Sequence, residues 1–412
     1  MNKLTKLTIN KFRNVKPTTL EFRPGINVVL GKNAAGKTTL LRLLATVTGA
    51  EDDTLKGDEL NVCRYVSSEA LSFEHTLIQE RVQEPALFVK LGLHSSEGRS
   101  VLRRTDAIVF EKEGAALLRV DMLPNTVSIR RNDEEASVER IFKENLAVSV
   151  ASALTYVNKY LGEEMTGKDI ADIFSALAPS ARRMDESLED FNRLLRIELK
   201  REFGIGVSTG NTKGVPKSML SVMFEELTVM GASVEFELDF LGRAAHVLGY
   251  DSARTRFDVE HFESGAERKS VRFSNLRFFF KRPGEEISHD LLSYGQKRLL
   301  AFFAHVDASG DVVIADELVN GLHHEWISAC LKEIGDRQAF LTSQNPLLLD
   351  FLRFDSAEEV RQTFILCERI DGEAGAKLVW RNPTEEEADS FFSAYQTGIQ
   401  RVSDILLTKG LW

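Results

Sequence analysis

The feature that most constrains this chain is a glycine-rich loop near the amino terminus, between a predicted strand at residues 26–30 and a predicted helix after it. The loop matches the pattern GxxxxGK[ST] and consists of Gly31, Lys32, Asn33, Ala34, Ala35, Gly36, Lys37 and Thr38. Glycines let the backbone wrap around an anion, and the following helix adds the positive end of its dipole. The pattern therefore predicts a phosphate-binding loop. Lys37 would reach the β- and γ-phosphates of a nucleotide, and the Thr38 hydroxyl would bind Mg²⁺.

A second motif places two adjacent carboxylates at the end of an apolar strand. The run Val312–Ala315 contains only apolar residues, which is typical of a central parallel strand, and ligands bind at the carboxyl ends of such strands. Asp316 would hold Mg²⁺, and Glu317 would orient or deprotonate an attacking water. An Asp-Glu pair is common by itself. Combined with the glycine-rich loop, it favours a nucleotide-hydrolysing site.

A third motif opens the predicted helix that precedes this strand. It reads Leu292, Ser293, Tyr294, Gly295, Gln296. A serine hydroxyl and a glycine N–H at a helix N-terminus can bind an anion, although an ordinary helix capped by Ser293 would carry the same residues. The position of the motif relative to the other two favours the anion site.

The remaining hydrophobic pattern predicts an α/β fold. Short alternating runs between residues 86 and 131 predict an antiparallel sheet, residues from about 132 to 203 are predicted to be mainly helical, and strands and helices alternate toward the carboxyl terminus. We therefore expect three regions: an N-terminal lobe at 1–131, a helical insertion at 132–218 and a C-terminal lobe at 219–412. The predicted core is a mixed sheet with an antiparallel β-subdomain.

Charge and composition exclude several classes of protein. The formal net charge is −10, so bulk electrostatics do not favour a nucleic-acid partner. The three cysteines, Cys63, Cys330 and Cys367, have no paired spacing that would suggest a disulfide framework or a zinc site. No apolar run approaches the roughly 18 residues that a membrane span needs, and the first residues do not read as a signal peptide. We expect a cytoplasmic protein without a membrane partner.

Together the three motifs resemble those of ABC-type ATPases, and within that class the SMC, RecF and OLD-like branch. Residues 11–15 and 20–31 resemble the amino terminus of that branch. Residues 292–296 are similar to the signature LSGGQ, with Tyr294 in place of the first glycine. Residues 342–350 resemble the switch segment. The fold that this implies is a P-loop ATPase head.

The resemblance also implies ligands and partners. ATP and Mg²⁺ would be bound, with nucleotide contacts from Arg13 and Thr39 in addition to the loop. The chain would form a homodimer around ATP, in which Ser293, Gly295 and Gln296 of one copy contact the nucleotide held by the other.

Two positions depart from the family pattern or cannot be assigned within it. Gln344 stands where many members carry the switch histidine, and a glutamine cannot take up a proton near neutral pH. We therefore predict that Gln344 is a catalytic residue and that hydrolysis is slow. The Q-loop glutamine has two candidates, Gln79 and Gln83.

Three functions fit this pattern. The stretch between the loop and the signature is longer than in a transporter ATPase and lacks the sustained heptads of a long coiled coil. By resemblance, the leading hypothesis is a sensor or regulatory component of a bacterial anti-phage system that controls an effector protein encoded nearby. The first alternative is a RecF- or SMC-like DNA-repair ATPase, for which pairs such as Arg103-Arg104 would contact phosphates. The second is an OLD-like nuclease-associated ATPase.

Overall fold

The computed structural model describes residues 1–50, 53–69, 71–84, 99–142, 145–158, 165–181, 197–202, 205–208, 216–225, 232–263, 269–318, 320–343, 346–373 and 375–411. Internal contacts divide the chain into two compact units, Met1–Ser180 with Phe354–Trp412, and Ala181–Arg353. The three predicted regions, bounded at residues 131 and 218, stay a prediction about domains. The internal contacts divide the chain at other residues, after Ser180 and after Arg353. One reason is that the helix that begins at residue 146 packs on strands of the first sheet.

The strands are β1 Lys3–Phe12, β2 Thr18–Glu21, β3 Ile26–Leu30, β4 Leu60–Ser67, β5 Ser72–Glu84, β6 Arg99–Lys112, β7 Ala115–Met122, β8 Thr126–Arg131, β9 Glu134–Glu139, β10 Ile197–Glu202, β11 Ile205–Ser208, β12 Ser233–Phe236, β13 Ser252–Glu263, β14 Lys269–Arg282, β15 Glu285–Ser288, β16 Val312–Ala315, β17 Gln338–Thr342, β18 Phe364–Ile370 and β19 Lys377–Arg381. The α-helices are α1 Lys37–Val47, α2 Leu146–Val157, α3 Gly167–Leu177, α4 Lys217–Glu225, α5 Asp239–Val247, α6 Tyr294–Ala308, α7 His324–Ile334, α8 Ala357–Thr363, α9 Glu385–Gln396 and α10 Val402–Thr408.

The first unit contains a large antiparallel sheet with the strand order β2-β1-β4-β5-β6-β7-β8-β9. Strand β4 shows why it forms: buried and half-buried side chains alternate strictly along it, since successive residues point to opposite faces of a sheet. The predicted antiparallel sheet is therefore present from residue 99 onward, whereas residues 85–98 lie outside the described part. The sheet also includes β1, β2, β4 and β5, which precede the predicted region.

The same unit contains the strand that leads into the glycine-rich loop. Strand β3 is buried over four of its five residues and pairs in parallel with β18, with Val28 opposite Phe364 and Leu30 opposite Leu366. Strand β19 pairs with β18 in the antiparallel direction. The mixed sheet predicted from the sequence is present here, and helix α1 follows β3 directly across the loop.

The second unit combines an antiparallel sheet with a parallel β–α–β segment. The antiparallel sheet has the order β11-β10-β14-β13-β12, with β15 paired to β14 and a buried aromatic core that includes Phe257, Phe273 and Phe278. Strands β16 and β17 run parallel, from Val312 opposite Gln338 to Ala315 opposite Leu341, with α7 between them in the chain. This parallel pair confirms the α/β fold that the alternating pattern predicts.

The segment predicted to be mainly helical is more mixed than expected. It contains α2 and α3, but also β9 and β10. Strand β10 has the sequence IELKRE, whose residues are compatible with a helix by intrinsic propensity, and it pairs with β14 over residues 197–201. Pairing with a distant strand thus overrides a local preference that is weak in either direction.

Candidate nucleotide-binding and catalytic residues

The glycine-rich loop in the first unit is shaped by close backbone packing. Gly31 has φ +143°, and a Cβ atom there would overlap the carbonyl oxygen of Cys367 in β18. Gly36 has φ +89°, and a Cβ atom there would lie 2.7 Å from Cδ1 of Leu378 in β19. Both glycines are thus required by their backbone conformation and by their neighbours.

Lys37 is the first residue of α1 and folds back over the loop. Its ammonium group donates hydrogen bonds to the carbonyl oxygens of Gly31, at 2.7 Å, and Lys32, at 3.1 Å. Gly36, at the N-cap, offers no side-chain hydrogen bond, and the first turn of α1, which the structure describes in full, carries no acidic residue. The positive end of this helix is therefore not neutralised by a carboxylate of its own first turn, as an anion site requires.

The other predicted loop residues differ in exposure. The side chains of Lys32, Asn33, Ala34 and Thr38 are exposed, that of Thr39 is half-buried and that of Ala35 is buried. Trp380 of β19 donates from Nε1 to the carbonyl oxygen of Ala35 at 3.4 Å, which anchors the middle of the loop. The exposed Thr38 hydroxyl is the kind of oxygen that binds Mg²⁺.

Arg13 follows β1 and is held by the segment after α1. Its backbone has φ +44°, its guanidinium forms an ion pair with Asp58 at 2.7 Å, and it donates to the carbonyl oxygen of Thr54 at 3.1 Å. Gln79 of β5 donates to the Asp58 carbonyl oxygen at 2.7 Å, whereas Gln83 is an exposed residue further along the same strand. These contacts order the segment, and a nucleotide contact by Arg13 or either glutamine stays a prediction.

The two carboxylates of the second unit follow β16, whose four residues are all buried. Thr342, at the end of β17, donates its hydroxyl hydrogen to Oδ1 of Asp316 and accepts the backbone N–H of Glu317 at 2.7 Å. Asn320 donates from Nδ2 to Oε2 of Glu317. Glu317 has φ +49°, a left-handed conformation that is uncommon for a residue with a side chain. The turn is therefore fixed by side-chain hydrogen bonds.

The signature residues form the first turn of α6. Ser293 is the N-cap, and its hydroxyl accepts the N–H of Gln296 at 3.4 Å while the Gln296 side chain accepts the Ser293 N–H at 2.9 Å. This is a capping box, so the motif has the helix-cap role that the sequence left open. A Cβ atom on Gly295 would lie 2.5 Å from the carbonyl oxygen of Gly321. Gly295 is therefore needed for a close backbone approach.

Sequence patterns indicated Thr342 only as the first residue of the segment that resembles the switch, and they did not indicate Arg298 or Asn320. An arginine within a helix and an asparagine in a turn give no pattern of their own, and only the Asp316-Glu317 turn shows what they contact. Gln344, predicted to act in hydrolysis, lies outside the described residues. Among the residues that the structure describes, no group of three or more His, Cys, Asp or Glu side chains could hold a metal ion.

Comparison with known families shows what the whole chain is similar to. One model, described as an AAA domain, matches residues 6–202, and a second, described as an AAA domain with reference to a type IV toxin–antitoxin system, matches residues 170–350. The protein named DNA replication and repair protein RecF of Ligilactobacillus salivarius is 25% identical over 363 residues, 82% of this chain and 90% of that protein. The chain is a P-loop ATPase with similarity to RecF proteins.

Two further sequence relatives of this ATPase match over shorter stretches. RecF of Psychromonas ingrahamii is 51% identical over 41 residues, 10% of this chain and only 11% of that protein. The Smc-like protein Sph2 of Halobacterium salinarum is 55% identical over 38 residues, 9% of this chain and 6% of that protein. A solved SMC head bound to the C-terminal winged-helix domain of ScpA aligns with 92% of this ATPase and 98% of its own chain, at 12% identity and a TM-score of 0.40.

In the described part of this ATPase, no helix is both long enough and apolar enough to cross a membrane.

Proposed function

We propose that the glycine-rich loop and the Asp316-Glu317 turn are the ATP-binding and ATP-hydrolysing residues of this ATPase. One set of hydrogen bonds supports this most directly, at the carboxyl end of a buried parallel strand: the Thr342 hydroxyl donates to the Asp316 carboxylate and accepts the Glu317 backbone N–H, and Asn320 donates to the Glu317 carboxylate. A carboxylate held in this way can orient a water molecule without having to reorganise during the reaction.

Each residue has a distinct part in this proposal. The loop N–H groups and Lys37 bind the phosphates, with further contacts from Arg13 and Thr39, and Glu317 orients or deprotonates the attacking water. The hydroxyl of Thr38 and the carboxylate of Asp316 are hard oxygen donors of the kind that suits Mg²⁺. The metal, when bound, neutralises charge on the β- and γ-phosphates.

We infer in addition that ATP joins two copies of the chain. Ser293, Gly295 and Gln296 begin α6, whose first turn contains no acidic residue, so this helix end is compatible with a phosphate from a second copy. ATP would then favour the dimer only to the extent that it binds the closed state more tightly than the open one.

The test separates binding, hydrolysis and assembly. Lys37→Ala should abolish ATP binding measured by calorimetry, whereas the exposed Lys168→Ala of α3 should bind ATP normally. Glu317→Gln should bind ATP but hydrolyse it at least about tenfold more slowly, equivalent to about 1.4 kcal/mol in the barrier. It should also sediment as a dimer in ATP. Normal turnover by Glu317→Gln would refute the assignment.

We propose that the ATP-bound dimer controls a partner effector protein, as in bacterial anti-phage systems. The supporting observations are the resemblance of the motifs, the reference to a toxin–antitoxin system in the second family description and the net charge of −10. Co-purification from the native host should recover a specific partner in the presence of ATP and lose it with Lys37→Ala. Recovery that does not depend on ATP would contradict this role.

A RecF-like role on DNA is the second candidate, because the similarity to a RecF protein extends over 82% of the chain. Fluorescence anisotropy with duplex DNA at 50 and 200 mM salt, with and without ATP, distinguishes the two. Binding that weakens steeply with salt would favour the DNA role, since each phosphate contact releases counterions. Absence of binding at either concentration would favour effector control.

A further inference from the structure

Arg298 makes an unusual set of contacts with the turn that carries the two carboxylates. It lies in the second turn of α6, and its Nη2 donates to the carbonyl oxygen of Asp316 at 3.2 Å and to that of Glu317. Its Nε is 3.4 Å from the carbonyl oxygen of Leu318. One guanidinium group therefore holds three successive carbonyl groups, and it is itself partly buried against them.

These contacts are made where the backbone most needs support. Glu317 has φ +49°, and the left-handed region costs roughly 1–2 kcal/mol for a residue that carries a Cβ atom. Such a conformation persists only when the surroundings enforce it. Arg298 enforces it from the carbonyl side, whereas Thr342 does so from the Glu317 N–H.

The same arginine also contacts the signature. Its Nη1 is 3.5 Å from the hydroxyl oxygen of Tyr294, four residues earlier on the same face of α6. The Tyr294 side chain is 64% exposed, yet its ring lies over Gly321, where an added Cβ atom would be 3.2 Å from two ring carbons. The tyrosine side chain is therefore accessible to a second molecule, while its ring packs against Gly321.

We propose that Arg298 is a positioning residue for ATP hydrolysis, which connects the exposed signature residue Tyr294 to the backbone that presents Glu317. Contact of a second copy with Tyr294 is transmitted through one guanidinium to the residue that orients the water. This inference rests on the proposed function of Glu317. It adds a reason for the tyrosine at a position where the family motif has glycine: a glycine has no hydroxyl with which to contact Arg298.

The proposed role of Arg298 predicts different effects on kcat and on the affinity for ATP. Arg298 does not itself touch the nucleotide in this scheme, so its loss should lower kcat and leave the affinity for ATP almost unchanged. Lysine keeps the positive charge, but its single ammonium group cannot reproduce the planar fork that contacts three carbonyl oxygens. Arg298→Lys is therefore the informative substitution.

Arg337 provides a matched control in the same unit. It donates from Nε to the carbonyl oxygen of Gly310 at 3.1 Å and from Nη1 to that of Ile334 at 3.3 Å, near the amino-terminal end of β16. Both arginines therefore hold backbone carbonyl groups beside the same strand, but at opposite ends. Arg337→Lys tests the loss of this kind of contact away from the carboxylates.

The experiment measures ATP turnover of the full chain at concentrations at which wild type is dimeric. Arg298→Lys should lower kcat about tenfold or more with KM within about twofold of wild type, whereas Arg337→Lys should leave both constants unchanged. Tyr294→Phe, which removes only the hydroxyl, should lower kcat two- to threefold and have no further effect in the Arg298→Lys background. Wild-type kcat in Arg298→Lys, or independent effects of the two substitutions, would overturn the proposal.

Two further comparisons keep the test decisive. If Arg298→Lys fails to fold, Tyr294→Phe alone decides, because its ring still rests on Gly321: reduced kcat supports the proposal and unchanged kcat overturns it. Glu317→Gln distinguishes failure of the proposed function from failure of the role of Arg298. If it hydrolyses ATP normally, the proposed function fails. If it is inactive while Arg298→Lys is normal, only the role of Arg298 fails.

Discussion

The glycine-rich loop of the first unit and the carboxylate turn of the second both follow a buried strand, but they are held by opposite means. At Gly31 and Gly36 the loop conformation requires residues without a Cβ atom, because neighbouring groups occupy the space of a side chain. At Glu317 the backbone conformation depends on hydrogen bonds with the side chains of Thr342 and Arg298. The first region should therefore be intolerant of any extra carbon, and the second of any lost hydrogen bond.

The largest effect should come from adding one carbon to the loop. Gly31→Ala would have to leave φ +143° and move its Cβ away from the Cys367 carbonyl, so we expect a loss of about 3 kcal/mol or more in the free energy of unfolding. Gly114→Ala is the control, because Gly114 has φ +80° but open space around it, and it should cost only about 1–2 kcal/mol. Urea unfolding measures both. Equal losses would show that packing at the loop is not decisive.

The second effect should come from removing one hydroxyl from the turn. Thr342→Val keeps the shape of the side chain but loses the donor to Asp316 and the acceptor for the Glu317 N–H. A buried polar group left without its partner destabilises the native turn by about 1–3 kcal/mol. If a comparable amount is added to the barrier for hydrolysis, turnover should fall roughly tenfold. Thr342→Ser retains the hydroxyl and should stay near wild type in the same ATPase assay. If the valine and serine variants turn over ATP equally, the hydroxyl has no role.

The first unit also contains a side-chain network, at the far end of the loop helix. Arg64 donates to the carbonyl oxygen of Val47, the last residue of α1, and from Nε to Nδ1 of His75 at 3.0 Å. Since Nδ1 accepts, Nε2 of His75 carries the proton and donates to Asp106 at 2.9 Å, and Arg104 pairs with the same carboxylate. The helix that begins at the glycine-rich loop is thus anchored at its end by buried charges.

This network should make stability depend on pH, an effect of intermediate size. Burial, reinforced by the charge of Arg64, lowers the pKa of His75 to about 4, below the 6.5 of the unfolded chain. Between these values the unfolded state binds a proton that the native state does not. The free energy of unfolding should therefore fall as the pH drops from 6.5 to 4, by at most about 1.4 kcal/mol per pH unit.

Urea unfolding of His75→Gln at pH 7 and pH 5 tests this dependence. The variant should be less stable at both values but should lose less stability than wild type between them. His246→Gln, which changes an exposed histidine, should keep the wild-type dependence. A His75→Gln variant with the full wild-type slope would place the titrating group elsewhere.

The smallest effect should be at Gln344. If hydrolysis is slow because the switch histidine is absent, Gln344→His should match or exceed the wild-type rate, and Gln344→Ala should be slower by a few-fold, less than about 1 kcal/mol in the barrier. Single-turnover hydrolysis with and without DNA measures this. A fast wild type that DNA stimulates, together with an unaffected Gln344→Ala, would favour the DNA-repair role.

Local patterns predicted those features whose physical cause is local. The loop from Gly31 to Thr38, the apolar strand before Asp316 and the helix after Ser293 each depend on a few adjacent residues, and each is present. The run from Val234 to Phe240 is compatible by its sequence with one strand, but β12 ends at Phe236 and α5 begins at Asp239. The short apolar stretch could not distinguish the two, because hydrophobic periodicity is ambiguous over so few residues.

The glycine-rich loop, the carboxylate pair after a buried strand and the α/β fold could all be predicted from the sequence, because glycine, charge and apolar periodicity act over a few residues. The groups that fix the Asp316-Glu317 turn can be identified only in the folded chain. Arg298 and Thr342 reach Glu317 from elements that are 19 and 25 residues away in the chain. Contacts of this kind leave no pattern in the sequence, since their geometry exists only after α6, β16 and β17 have packed together.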